Sequence, residues 1–116
     1  MKVIIAGSRT INDYSLVASA IEQSNFDVTE VVCGDAKGVD TIGDQWAQKN
    51  TIPVTHFPAN WKKFGRGAGC IRNRQMAEYG DALIAITTGS RGTANMIKEA
   101  TKLGLKIFVL EVDPKK

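Results

Sequence analysis

Two hydrophobic periods alternate along this chain. Short, β-branched apolar runs occupy residues 2–6, 28–33, 53–57, 82–86 and 106–112. Their length, and the glycines or prolines that bound most of them, predict strands buried in a parallel sheet. Between them the apolar positions fall three and four apart. Leu16, Val17, Ala20 and Ile21 predict a helix over 14–24, which Asn12 or Asp13 can cap. Ile42, Trp46 and Ala47 do the same for 39–49. A further helix is expected over 70–79. Another follows the fourth strand, with Thr93 as its cap, Met96, Ile97 and Ala100 on its inner face, and Gly104 as its stop. Residues 58–69 carry no period and read as the longest irregular segment.

Strands that alternate with helices make a parallel sheet with helices on both faces, joined by right-handed crossovers. The expectation is an α/β, Rossmann-like three-layer domain over 1–112. Its five parallel strands should run in the order 3-2-1-4-5, with a frayed tail over 113–116. In that order the winding reverses between the first and fourth strands. Ligands of such folds bind at that reversal, outside the carboxyl ends of the strands.

The loops after those two strands are alike: Gly7-Ser8-Arg9 and Gly89-Ser90-Arg91-Gly92-Thr93. A glycine turn that feeds a helix offers free N–H groups and the positive end of the helix dipole, which suits a phosphate. Arg9 and Arg91 each add a guanidinium that can grip phosphate through two hydrogen bonds. In the first turn, Gly7 supplies the bend and Ser8 a hydroxyl and an N–H. In the second, Gly89 and Gly92 permit unusual backbone angles and a close approach. A third turn, Gly34-Asp35-Ala36-Lys37-Gly38-Val39-Asp40, follows the second strand. Asp35 and Asp40 there can meet ribose hydroxyls, or Asp40 can simply support the helix N-terminus.

The stretch 58–74 holds Trp61, Lys62, Lys63, Phe64, Arg66, Arg72 and Arg74 with no acidic residue. It can fold over a ligand, with Trp61 or Phe64 stacking on a base and the cations facing phosphates. Arg72 and Asn73 fall early in a helix, where an anion can again be received. The alternative is that both aromatics pack against the sheet while the lysines stay in water.

Composition narrows the field. At 116 residues, 43% hydrophobic and 23% charged, the chain is an ordinary globular one with no run long enough for a membrane span. No secretory signal is legible, so the cytoplasm is the expected setting. Cys33 and Cys70 lie far apart without a metal-ligand pattern, and His56 is the only histidine. No metal and no cofactor is expected. A net charge of +3 accommodates an anionic ligand without itself implying nucleic acid.

Several of these pieces together carry a family resemblance: Ala6-Gly7-Ser8-Arg9, the 34–40 turn, Pro58-Ala59-Asn60-Trp61, the run 68–76 (Ala-Gly-Cys-Ile-Arg-Asn-Arg-Gln-Met), and Gly89-Ser90-Arg91-Gly92-Thr93-Ala94-Asn95-Met96. In this order they resemble the SLOG superfamily, which includes the LOG enzymes and the Smf/DprA proteins, and within it the YspA/YpsA-like branch. The resemblance implies a nucleotide or nucleotide-derived ligand at the reversal point. LOG enzymes carry Pro-Gly-Gly-x-Gly-Thr-x-x-Glu, whose glutamate serves N-glycosidic cleavage. Here Thr88 stands for the proline and Met96 for the glutamate, with Glu99 one helical step later. Cleavage at a ribose carbon needs a nearby carboxylate, for which Asp35, Asp40 and Glu99 are the candidates.

Three functions follow as expectations. The first is a homo-oligomeric module, most simply a dimer, that senses, holds or sequesters a nucleotide-derived molecule. The second is a nucleotide N-glycosidic-bond hydrolase or transferase. The third is a single-stranded nucleic acid binder. The binding residues expected are Gly7, Ser8, Arg9, Gly34, Asp35, Gly38, Asp40, Trp61, Arg72, Asn73 and 89–93.

Overall fold

Five parallel strands in the order β3-β2-β1-β4-β5 form the centre of the protein, as the alternating pattern predicts. The computed structural model describes residues 1–34 and 37–113. The strands are β1 (Lys2–Gly7), β2 (Glu30–Cys33), β3 (Val54–His56), β4 (Ala82–Thr87) and β5 (Lys106–Glu111). The helices are α1 (Tyr14–Ser24), α2 (Val39–Lys49), α3 (Trp61–Phe64), α4 (Ala68–Tyr79) and α5 (Arg91–Lys102). The expected tail lies largely outside the described residues.

β1 and β4 are the innermost strands. Every residue of β4 is buried, because a central strand of a doubly covered sheet meets side chains on both faces. One face packs Val3, Ile5, Ile84 and Ile86 against Val17 and Ile21 of α1 and Val39 and Ile42 of α2. The other packs Ile4, Ala6, Leu83 and Ala85 against Met76 of α4 and Met96 of α5. Alternate residues of one strand thus serve two separate cores.

The segment 58–69 is more ordered than its lack of period suggests. Asn60 caps α3 by accepting the Lys63 N–H at 3.1 Å. A 3-10 turn over Gly65–Gly67 then leads into α4, which starts at Ala68 rather than at 70. Such short elements are set by caps and not by periodicity. At α1, Asp13 is the cap, accepting the Leu16 N–H at 3.2 Å. At α5 the cap position is Ser90, not Thr93, and its side chain makes no capping bond.

Candidate functional site

The first loop owes its shape to close packing. A Cβ on Gly7 would lie 2.1 Å from the Ile86 carbonyl oxygen and 2.6 Å from a Val39 methyl. Gly7 is therefore the residue that lets β1, β4 and α2 meet, and its φ is not positive. Gly38 caps α2 at φ +77°, and a Cβ there would press on the carbonyls of Ser8 and Arg9 at 2.5 and 2.6 Å. Both glycines shape the site from behind. Of the later pair, Gly89 does need its positive φ of 99°. Gly92 lies inside α5 with ordinary angles, and its missing side chain leaves open space at the helix start.

Ser8 joins the two Gly-Ser-Arg loops. It is 2% exposed. Its N–H donates to the Ile86 carbonyl at 3.1 Å, and its Oγ accepts the Thr88 N–H at 2.9 Å. The same hydroxyl lies 3.1 Å from Thr88 Oγ1 and 3.2 Å from Ser90 Oγ. The Ser90 hydroxyl also bonds Thr93 Oγ1 at 2.8 Å. The serine pair thus forms a floor between β1 and β4, with the Ser8 amide directed into the protein.

Over that floor lies a cleft of about 490 Å³. From the first loop it is lined by Gly7, Ser8 and Arg9. From the second come Ser90, Arg91, Gly92 and Thr93, and from α2 comes Asp40. Trp61, Arg72 and Asn73 close the far side. Gly34, Gly38, Gly89 and Glu99 do not line it. Glu99 is turned to Lys102 at 3.9 Å, as expected of a residue displaced by one step along the helix. Asp35 lies outside the described residues. Arg66, Thr88 and Asn95 line the cleft too. Asn95 follows Arg91 by four residues, so helical spacing was the available signal for it. Arg66 belongs to the basic stretch. For Thr88 the signal was its place at the head of the second glycine turn, where LOG enzymes carry proline.

A chain of hydrogen bonds ties the walls together. Asp40, 5% exposed, accepts the Gly34 N–H at 3.2 Å. The Gly34 carbonyl accepts from Arg72 Nη1. Arg72 Nε donates to Asn73 Oδ1 at 3.0 Å. Asn73 Nδ2 donates to Asn95 Oδ1 at 2.9 Å and to the Gly92 carbonyl at 3.3 Å. The β2 end, α4 and α5 are held in one frame by this relay. Asn73, 6% exposed, is positioned to hold the frame rather than to reach outward.

Trp61 and Phe64 do not pack down on the sheet: they are 53% and 41% exposed. Trp61 stands against the backbone at Gly69, where a Cβ would touch its ring at 3.5 Å. It gives the cleft an aromatic wall at its mouth.

The electrostatics are one-sided. Arg9, Arg66, Arg72 and Arg91 all line the cleft, against Asp40 as the only carboxylate among its described residues. Neither α4 nor α5 has an acidic residue in its first turn, and α5 begins with Arg91 and no side-chain cap. A cation at the positive end of a helix is unfavourable by itself. An anion in the cleft relieves it. No group of three or more potential metal ligands occurs among the described residues.

This fold and cleft define a Rossmann-like α/β protein with an anion-suited crevice at the reversal of its winding. The chain belongs to the YspA, cpYpsA-related SLOG family, whose family model matches residues 1–64. It is 35% identical to the Gene 61 protein of Mycobacterium phage D29, over 92% of this chain and 94% of that protein. Its fold is similar to that of DNA processing protein A (DprA) from Streptococcus pneumoniae, with a TM-score of 0.76 and 18% identity. That similarity covers 93% of this chain and 49% of the DprA chain, so the protein corresponds to about half of it. No described helix is long and apolar enough to cross a membrane.

Proposed function

We infer that the cleft binds a phosphorylated nucleoside compound, and that the protein senses, holds or sequesters it. The observation that carries this reading is the uncapped start of α5, with Arg91 in its first turn, opening into a cleft that also holds Arg9, Arg66 and Arg72. Phosphate is the group such an arrangement accommodates best. Trp61 offers a face on which a base can stack. The expected turnover is slow. Asp40 has one oxygen engaged by the Gly34 N–H, and Glu99 stands outside the cleft. Mass spectrometry of small molecules released from the purified protein, followed by calorimetry with the compound found, tests the reading. Recovery of intact ligand supports it. Rapid release of free base from a nucleoside monophosphate, abolished by Asp40→Asn, would instead make the protein an N-glycosidase.

One observation favours a second reading. Trp61 and Phe64 are exposed beside Lys62, Lys63 and Arg66, and aromatic faces among cations suit single-stranded nucleic acid. A salt titration with an oligonucleotide decides it, since phosphate contacts along a strand give a steep salt slope. The working form we propose is a cytoplasmic homodimer, with the partner completing the open side of the cleft. Light scattering at micromolar concentration that returns a monomer with and without ligand speaks against that.

A further inference from the structure

We propose that two copies of this chain join their β5 edges in antiparallel register, so that their sheets become one. This rests on the reading of the protein as a homodimer and names the surface that pairs.

The first argument is the contrast between the two edges of the sheet. β3 is three residues long and lies between Pro53 and Pro58, which blunts it. β5 is six residues long, pairs with β4 at six consecutive positions without a bulge, and holds no proline. No other described strand pairs with its outer side. Its charges, Lys106 and Glu111, stand only at its ends. Between them Ile107, Phe108 and Leu110 are half-buried, and Val109 is 40% exposed. A long, regular, apolar edge of this kind draws another strand.

The second argument is the direction of the open backbone groups. The Val112 N–H donates to the Thr87 carbonyl at 2.8 Å. Peptide groups point alternately to the two sides of a strand. Phe108 and Leu110 therefore face β4 like Val112, and the N–H and C=O of Ile107, Val109 and Glu111 face outward. In an antiparallel pair an outward residue stands opposite an outward one. In a parallel pair it stands opposite an inward one, which a twofold contact of β5 with itself does not offer, since each residue would then face its own copy. The closed contact is thus antiparallel. Centred on Val109, it sets Ile107 opposite the partner's Glu111 and uses every N–H and C=O of the three outward residues. Centred on Phe108, it would call on Leu105, whose N–H is already given to the Ala100 carbonyl at 3.1 Å.

Side chains match in that register. On the face shared with α1, Phe108 meets the partner's Leu110 on both sides of the axis. On the other face Val109 meets the partner's Val109. Lys106 stands opposite the partner's Val112, so no charge meets its like. The antiparallel sense also brings the partner's 103–106 turn to the carboxyl end of β5, the end of the sheet at which the cleft opens.

Sedimentation velocity of the full chain and hydrogen exchange read at single amides test this. A dimer is expected at micromolar concentration, with the Ile107, Val109 and Glu111 amides protected. Val109→Lys puts two like charges on the axis at an exposed position. Val109→Pro removes an outward N–H that β4 does not use. Each should weaken the dimer at least tenfold and speed exchange at the Ile107 and Glu111 amides at least tenfold, with the circular dichroism of the parent. Free edge amides in the parent dimer, or a dimer that both variants leave intact, overturns this interface and leaves the homodimer reading standing. A monomeric parent overturns both.

Discussion

Replacing Ser8 by alanine tests the junction on which the cleft is built. The substitution removes one oxygen and no volume that a neighbour must fill. Three partners lose it: the Thr88 N–H at 2.9 Å, Thr88 Oγ1 at 3.1 Å and Ser90 Oγ at 3.2 Å. The two hydroxyls can rotate, and Ser90 retains Thr93 as a partner, so their loss is small. The amide cannot rotate. A part-buried N–H left without an acceptor costs about 1–3 kcal/mol. The expected destabilisation is therefore about 2 kcal/mol, or roughly 5–10 °C in Tm for a domain of this size. Urea denaturation of Ser8→Ala beside Thr88→Val measures it. The valine variant loses a hydroxyl but keeps the amide bond, so it should cost well under half as much. If Ser8→Ala stays within about 0.5 kcal/mol of the parent, or the two variants cost the same, Ser8 does not hold the loops together.

The other predictions concern separate parts of the molecule. Arg9→Ala and Arg91→Ala should each weaken nucleotide binding by about 1.5–3 kcal/mol, the worth of a charge-assisted contact, with an unchanged melting temperature; unchanged affinity in both by calorimetry means that the loops are only turns. Gly7→Ala should destabilise the protein by more than ~3 kcal/mol, because the added Cβ meets a strand carbonyl at 2.1 Å and no flexible side chain can yield; a soluble variant with parental circular dichroism and Tm contradicts this. Glu30 accepts hydroxyls from Tyr79 and Thr55. Chiefly the Tyr79 bond, with Thr55 and the Lys2 charge, holds its carboxyl below the ordinary 4.5, against burial and Asp81. A depressed carboxylate stabilises the fold fully above pH 4.5 and loses that contribution as pH falls through its lower folded value. Tyr79→Phe should therefore cost stability at pH 6 and little once Glu30 is protonated in both states; an equal cost at both pH values in chemical denaturation refutes the linkage.

Much of the fold was legible in the chain because it rests on local pattern. Buried runs, helical spacing and glycine punctuation between them determined the parallel sheet and its order, since a parallel strand needs a crossover and crossovers have one hand. The matching Gly-Ser-Arg loops at neighbouring strand ends located the cleft in the same way. What the pattern could not show is the division of labour within it. Gly7 and Gly38 look like ligand-facing glycines, yet they are the points where backbone from distant segments comes within a Cβ of contact. Ser8 and Asn73 look like ligand donors, yet their polar atoms hold β4, α4 and α5. Those roles depend on which groups oppose each residue across the fold, and opposition is a property of packing. Exposure is another. Trp61 and Phe64 are as apolar as any core residue, and only the capped turn at Asn60 and the helix after it keep them at the surface. Charge lies between the two: five arginines can be counted in the sequence, but only the tertiary structure brings four of them to one cleft against Asp40 as the single carboxylate among its described residues.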